Sequence, residues 1–443
     1  MKIKTIFLSV LLILGFWYSQ AQSKFNQVPQ ILNLRVSNDT LKKELQITYD
    51  LKDVENEKIT ISLNVSNDNG QTFNVDIASA MGDIGKDIEV GNDKKIIWNY
   101  KNSSESIGNF YVKLVADDLF KINIFDLINQ VDTVRLQKSV EHLLGNRYPA
   151  TLDGMIGLTK ARNYIVKNFT EQKLFIDKQE FSIGQYNTFN IFGKKLGNLE
   201  EQNFYILSAN FDNQDKTKGS DDNSSGVAGL IEASRILSQY QFKKTVVFAG
   251  FDLKFKESTG CVKYIFEGGL KENEKMEGAI CLDGISNYRP VPWSQSFPKG
   301  FELLFPEQAQ YLENNQYKGD FILNVSNENS VSLMNEFDKN VKQFVPDLKL
   351  ISLVTPRDGK LTPELATSDH VAFWYGKLKA IDINDTGYTR DKIILKNDNS
   401  SKKYNYAFAS NVVKASIATI ANLAEIQHAG VAYSKVTLFL ASR

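Results

Sequence analysis

Histidine and cysteine, the residues that most often bind transition metals, are scarce in this 443-residue chain. It has three histidines, His142, His370 and His428, and two cysteines, Cys261 and Cys281. Three histidines leave few ligands for any site that needs several converging imidazoles. Two cysteines exclude a disulfide scaffold, and because they form no Cys-x-x-Cys pair they predict no structural zinc site. Two buried thiols are favoured over a single disulfide bond.

Net charge is also absent, because 52 Lys and Arg residues balance 52 Asp and Glu residues. This balance excludes a strongly basic protein that binds nucleic acid by neutralising phosphates, so we expect no nucleic-acid partner. The composition, 42% hydrophobic and 23% charged, is that of an ordinary globular protein. The length exceeds that of one hydrophobic core and predicts two domains.

A long apolar run occurs only at the N-terminus. Two lysines precede the run over residues 6–16, and Ser19 and Ala21 follow it at the spacing that a signal peptidase accepts. We therefore predict a signal peptide over residues 1–21 and an exported protein, periplasmic or extracellular. No later stretch is long and apolar enough to predict a membrane span.

Residues 22–117 have the pattern of short antiparallel strands. Leu45, Ile47 and Tyr49 alternate with polar neighbours, and turn sequences such as Asp68-Asn69-Gly70 separate the strands. This pattern predicts a β-sandwich. The runs VSNDNGQTF, MGDIGKDIEVGNDKKIIWNY and FYVKLVADD resemble immunoglobulin- or fibronectin-like accessory modules, which implies a spacing, docking or purely structural role.

Residues 118–428 have a different pattern, in which apolar strand-like runs alternate with helical ones. The runs over 204–209, 245–251 and 279–282 are typical of buried strands, and 226–237 of a helix between two of them. We predict a mostly parallel, doubly wound sheet covered on both faces, with ligands bound beyond the carboxyl ends of its strands. Residues 429–443 are predicted to be a tail of unknown role.

Acidic residues follow three of these predicted strands. Asp212, Asp252 and Asp283 each come at or just after a strand end, and the run GSDDNSSG opens the helix at residue 226. Carboxylates brought together at one sheet edge repel each other unless a cation lies among them. The pattern therefore indicates a metal site.

These blocks resemble peptidase family M28, the di-zinc aminopeptidases, over residues 119 to about 427. YILSANFDN, GSDDNSSG, CLDG, FPKGFELLFPEQ, YKGDFI, TSDHVAFW and DTGYTR occur in the family's order. The resemblance implies two zinc ions bridged by an Asp, with a Glu as general base for the bridging water. Two of the family's five ligand positions are kept, Asp222 as the bridging residue and Asp283 as a terminal one.

At the other family positions, this chain has side chains that are poor zinc ligands or cannot act as the base. The first and last His ligands correspond to Asn210 and Leu395, and the Glu-Glu pair of base and ligand corresponds to Lys254 and Phe255. The resemblance therefore implies a degenerate zinc site with no confident catalytic residue. For Lys254 two hypotheses stay open: its ammonium replaces the cation beside Asp222 or Asp283, or it points to solvent.

Other polar residues resemble those that support the family's site or line its cleft: Asp212, Ser368, Asp369 and His370. The last three are consecutive, so they cannot converge as a catalytic triad, and no Gly-x-Ser-x-Gly elbow is present.

We predict a non-catalytic pseudo-peptidase that binds peptides or proteins in its cleft or acts as a scaffold, without a cofactor. The alternative is an active, secreted, zinc-dependent aminopeptidase. A third interpretation is an interaction protein whose β-sandwich makes the contacts.

Overall fold

The computed structural model describes residues 29–54, 56–68, 70, 72–101, 110–119, 122–184, 186–213, 223–391, 404–427 and 431–438. They form two compact units, one of residues up to Ile122 together with those from Gln427 onward, the other of Asn123–Ile426. The signal peptide predicted over residues 1–21 lies outside the described residues. The domain boundaries predicted from the sequence stay predictions.

The first unit is built from two antiparallel four-stranded sheets. Their strand orders are β1-β2-β6-β4 and β16-β7-β3-β5. Numbered along the chain, the strands are β1 (Gln30–Asp39), β2 (Glu44–Lys52), β3 (Lys58–Ser66), β4 (Ala80–Gly82), β5 (Gly85–Glu89), β6 (Gly91–Asn99), β7 (Phe110–Asp117) and β16 (Val431–Leu438).

One hydrophobic core lies between these two sheets. Leu45, Ile47 and Tyr49 of β2 are buried in it, as the alternation in the sequence predicts, and so are Trp98 of β6 and Leu114 of β7. Alternate residues of a strand point to opposite faces, so each sheet buries one face and leaves the other to solvent. The antiparallel β-sandwich is confirmed.

The last described strand of the chain belongs to this first unit. Strand β16 pairs antiparallel with β7 in continuous register from Val431 opposite Asp117 to Leu438 opposite Phe110. The sequence predicts only a tail of unknown role over 429–443, because the partner strand lies more than 300 residues earlier in the chain. Residues 431–438 therefore add a fourth strand to the sheet that contains β7.

The second unit is a mixed α/β structure. Its strands are β8 (Phe175–Ile183), β9 (Tyr186–Lys195), β10 (Glu200–Asn210), β11 (Lys244–Phe251), β12 (Lys275–Asp283), β13 (Ile322–Asn327), β14 (Leu350–Thr355) and β15 (Ala380–Asn384). Its α-helices are α1 (Ile124–Ile128), α2 (Thr133–Leu143), α3 (Leu152–Glu171), α4 (Ser224–Leu237), α5 (Thr259–Phe266), α6 (Phe301–Leu304), α7 (Pro306–Asn314), α8 (Val331–Phe344), α9 (His370–Tyr375), α10 (Gly387–Asp391) and α11 (Tyr406–Leu423). Short 3₁₀ turns cover Glu328–Ser330, Pro356–Gly359 and Pro363–Leu365.

The eight strands of this unit form one sheet in the order β14-β13-β15-β12-β10-β11-β9-β8. The pairings of β10 with β11, β10 with β12, β12 with β15 and β13 with β14 are parallel. The runs predicted as strands from the sequence lie inside β10, β11 and β12. The expected mostly parallel sheet is confirmed.

Both faces of this sheet are covered, as a doubly wound fold requires. Along β10, Leu207 and Ala209 belong to one hydrophobic cluster, which also contains side chains of α2, α3, α4 and α11. Phe204 and Ile206 belong to a second cluster on the opposite face, with side chains of α5, α7 and α9. A strand buried on both faces has the continuous apolar run that the sequence shows here.

Cys261 and Cys281 are free, buried thiols. None of the helices in the described part of the chain has the length and apolarity that crossing a bilayer requires.

Removal of β16 should weaken the first unit only. Ending the chain after Gln427 makes β7 an edge strand, so the β7 amides that face β16 should lose protection from hydrogen exchange. Exchange followed by mass spectrometry on peptides covering 110–117 measures this loss, with peptides from β10 as an internal control. A chain that ends after Leu438 keeps the strand and should match the full chain. Unchanged protection of 110–117 in the shorter chain would contradict the pairing.

Candidate functional site

The carboxyl ends of three adjacent strands bring several of the predicted site positions together. Asn210 is the last residue of β10, and Asp283 is the last residue of β12, its parallel neighbour. Lys254 and Phe255 follow β11 on the other side of β10. Two further predicted positions, Asp222 and Leu395, lie outside the described residues.

Lys254 and Asp283 form a direct ion pair. The Nζ atom of Lys254 lies 2.5 Å from Oδ2 of Asp283, and the two side chains are 8% and 17% exposed. Burial alone would lower the pKa of Lys254, but the charge of Asp283 and the hydrogen bond to it raise this pKa above its ordinary value. Lys254 is therefore a protonated ammonium that neutralises Asp283, and it does not point to solvent.

Asp212 fixes the loop that presents Lys254. Its carboxylate oxygens accept hydrogen bonds from the backbone N–H groups of Lys254 at 3.0 Å and Phe255 at 3.3 Å. Burial, followed by the negative charge of Asp252, raises the pKa of Asp212 to about 7. The ring of Phe255 lies 5.0 Å from the Lys254 ammonium, close enough for a cation–π contact.

Asn210 uses both ends of its amide within the protein. Its Nδ2 donates to the backbone oxygen of Asp212 at 3.2 Å, and its Oδ1 accepts from Nδ2 of Asn223 at 2.7 Å. Asn223 precedes α4 and accepts a hydrogen bond from the backbone N–H of Gly284 at 2.9 Å. Asn210 thus links the strand ends through hydrogen bonds at the position where the family has an imidazole.

Ser368, Asp369 and His370 lie at the start of α9 and are all buried. Burial raises the pKa of Asp369 to about 7, although the Lys254 ammonium opposes this shift. Burial also lowers the pKa of His370 to about 4, so its imidazole is neutral at pH 7. Because a carbonyl oxygen only accepts, Nε2 of His370 donates to the Leu365 oxygen at 3.0 Å.

Two more buried carboxyl groups lie near the site: Asp252, which the strand-end pattern indicates, and Asp382, which was missed in the sequence. Asp252 accepts hydrogen bonds from Tyr186 at 2.9 Å and from Thr188, and it pairs with Arg162 at 3.3 Å. Asp382 of β15 places Oδ1 3.6 Å from Nδ1 of His370. An Asp within an apolar strand, as in Ile381-Asp382-Ile383, was the available signal for Asp382.

The described positions do not fit a pair of zinc ions. Of Asn210, Lys254, Phe255 and Asp283, only Asp283 has a side chain that zinc prefers, and the Lys254 ammonium already binds it. Within the described ranges, no group of three or more His, Cys, Asp or Glu residues could bind a metal ion. Lys254 also cannot act as a general base, because it is protonated and its ammonium is bonded to Asp283.

The chain matches the model of "Peptidase family M28" over residues 190–406. A curated relative, the "Uncharacterized protein YfbL" of Escherichia coli (strain K12), is 28% identical over 304 residues, which is 65% of this chain and 87% of that protein.

Solved structures show the same fold. The LapA aminopeptidase of Legionella pneumophila superimposes with a TM-score of 0.50 at 13% identity, covering 69% of this chain and 77% of that chain. LapB of the same organism gives a TM-score of 0.51 at 16% identity, with the same coverage. The sequence match assigns residues 190–406, within the second unit, to peptidase family M28.

Proposed function

We propose that this chain is a non-catalytic, exported member of peptidase family M28, which acts by binding peptides or proteins or as a scaffold. The ion pair between Lys254 and Asp283 is the observation on which this proposal rests. It replaces a divalent ion with a side-chain cation at a position where the family binds zinc. Export is proposed from the composition of residues 1–21 alone.

Loss of hydrolysis follows from the groups that the chemistry needs. Peptide hydrolysis in this family requires a metal-bound hydroxide and a carboxylate that removes its proton. Phe255 cannot bind a metal, and Lys254 cannot accept a proton while it is an ammonium bonded to Asp283. Neither position of the family's Glu-Glu pair therefore supplies its part of the reaction.

A binding or scaffold role is supported by what the unit keeps. The described residues keep the sheet and its two hydrophobic clusters. In open α/β sheets, ligands bind beyond the carboxyl ends of the strands whether or not catalysis follows. The cleft is therefore the proposed binding surface for peptide or protein partners.

The purified chain, dialysed against trace zinc, should contain zinc well below one ion per chain by elemental mass spectrometry. It should also fail to hydrolyse chromogenic aminoacyl anilides when zinc is added. Asp283→Asn is the matched control, because adventitious zinc elsewhere would persist in this variant. Two zinc ions per chain, with hydrolysis that Asp283→Asn abolishes, would establish the alternative of an active aminopeptidase.

Lys254→Met should destabilise the second unit by about 3 kcal/mol, because it leaves the Asp283 carboxylate buried without its cation. Urea titration followed by hydrogen exchange of β12 peptides measures this unit alone. Lys256→Met, on an exposed side chain of the same loop, should change stability by less than about 0.5 kcal/mol. A loss for Lys254→Met as small as that of the control would show that the ion pair does not stabilise the fold.

The difference in unfolding free energy between the wild-type chain and Lys254→Met should decrease at high pH. The folded-state pKa of Lys254 is raised, so its contribution is fully present below 10.5, the ordinary value of the unfolded chain. The contribution is then lost as pH rises through the higher folded-state pKa. Repeating the urea titration at increasing pH should give a constant difference in unfolding free energy up to about pH 10.5 and a shrinking one between that pH and the folded-state pKa. A difference that already shrinks between pH 7 and 9 would contradict a raised pKa.

A further inference from the structure

A second concave site lies at the opposite edge of the large sheet, at the amino ends of β10 and β11. It is a cavity of about 380 Å³. Its lining comes from the starts of these strands, from β8 and the end of β9, from α5 and from residues 271–274 before β12. It is separate from the Lys254–Asp283 pair, which lies beyond the carboxyl ends of the same strands.

The cavity exists because the helix above this part of the sheet is short. Helix α5 has eight residues and is about 12 Å long, whereas the eight residues of β11 extend over about 26 Å. The sheet face at the amino ends is therefore left without a helix. The apolar side chains of Phe204, Val247 and Tyr264 form the cavity floor, and Phe175, 60% exposed, lies at its rim.

One polar group of the floor has no partner in the protein. Tyr264 is 4% exposed, and its ring packs against Phe192 and Phe251. Across the described residues, no side chain or backbone group forms a hydrogen bond with its hydroxyl. Because Tyr264 lines the cavity, its hydroxyl is available to a ligand acceptor there.

The rim presents one free charge of each sign. Lys194 is neutralised by Asp177 at 3.1 Å and Glu274 at 3.6 Å. Within the described ranges, the ammonium of Lys271 and the carboxylate of Glu201 take part in no ion pair, and both residues line the cavity. The cavity thus combines an apolar floor with an unpaired cation and an unpaired anion.

We propose that this cavity binds a small zwitterion with a large apolar side chain, namely a free amino acid or a dipeptide. The ligand carboxylate pairs with Lys271 and accepts from the Tyr264 hydroxyl, and the ligand ammonium pairs with Glu201. The apolar side chain packs on Phe204 and Val247. The volume lies within the range of about 300–1,000 Å³ that is typical of small-molecule pockets.

This inference does not depend on the proposed loss of catalysis. The two sites lie at opposite edges of the sheet and share no residue named in either argument. An active zinc site would leave the cavity unchanged, and an empty cavity would leave the Lys254–Asp283 pair unchanged.

Isothermal titration calorimetry of the purified chain with L-phenylalanine and with L-phenylalanyl-L-phenylalanine tests the proposal. We expect saturable binding of at least one probe. Phenethylamine lacks the carboxylate, hydrocinnamate lacks the ammonium and glycylglycine lacks the apolar side chains, so each should bind about tenfold more weakly or not at all.

Three single substitutions locate the binding. Lys271→Ala and Glu201→Gln should each weaken the binding probe about tenfold, and Tyr264→Phe should weaken it severalfold. The matched controls Lys299→Ala and Glu307→Gln change exposed charges outside the cavity and should leave affinity unchanged. Thermal unfolding of every variant shows whether it is folded. If Tyr264→Phe does not fold, the substitutions at the exposed positions 201 and 271 still test the proposal.

Two results would overturn the proposal. One is the absence of saturable binding by either probe up to its solubility limit. The other is binding that Lys271→Ala and Glu201→Gln leave unchanged, which would assign the probe to another surface, including the cleft at the carboxyl edge.

Discussion

Buried carboxylates at the carboxyl edge of the large sheet are the constraint on which the rest of the site depends. Asp212, Asp252, Asp369 and Asp382 are each no more than 2% exposed, and Asp283 lies beside them. Negative charges at such burial need either a cation or a proton. Two basic side chains supply cations, Lys254 to Asp283 and Arg162 to Asp252. Burial raises the pKa values of the other three carboxyls, so protons neutralise them more readily than ordinary aspartates.

The loop after β11, which carries Lys254, contains several residues in an unfavourable backbone conformation. Leu253, Glu257 and Ser258 have φ angles of 59°, 58° and 51°, a left-handed conformation that costs free energy in residues other than glycine. The hydrogen bonds that the backbone N–H groups of Lys254 and Phe255 donate to Asp212 help to hold this conformation. The Asp212 carboxylate therefore positions the backbone around Lys254.

The chain also returns to its first unit at its end. Strand β16 pairs with β7, although all of the second unit is encoded between them. One sheet of the β-sandwich is therefore completed only after the entire second unit has been synthesised. Forming a pairing between strands so far apart in the sequence has a large entropic cost of loop closure. This strand should therefore be among the last elements to form.

Local patterns in the sequence determine the architecture and the identity of the altered site residues. The alternation of Leu45, Ile47 and Tyr49 predicts a half-buried strand, and continuous apolar runs predict β10, β11 and β12, because both signals depend only on neighbouring residues. That Asn210 and Phe255 are poor metal ligands is likewise fixed by side-chain chemistry alone.

Tertiary structure decided the contacts between residues distant in the chain. Lys254 and Asp283 are 29 residues apart, and only the register of three parallel strands brings them to 2.5 Å. The pairing of β16 with β7, the position of Asp382 beside His370 and the cavity around Tyr264 have the same origin. Each depends on which strands are neighbours and how far a helix covers them, and neither property is encoded in a short stretch of residues.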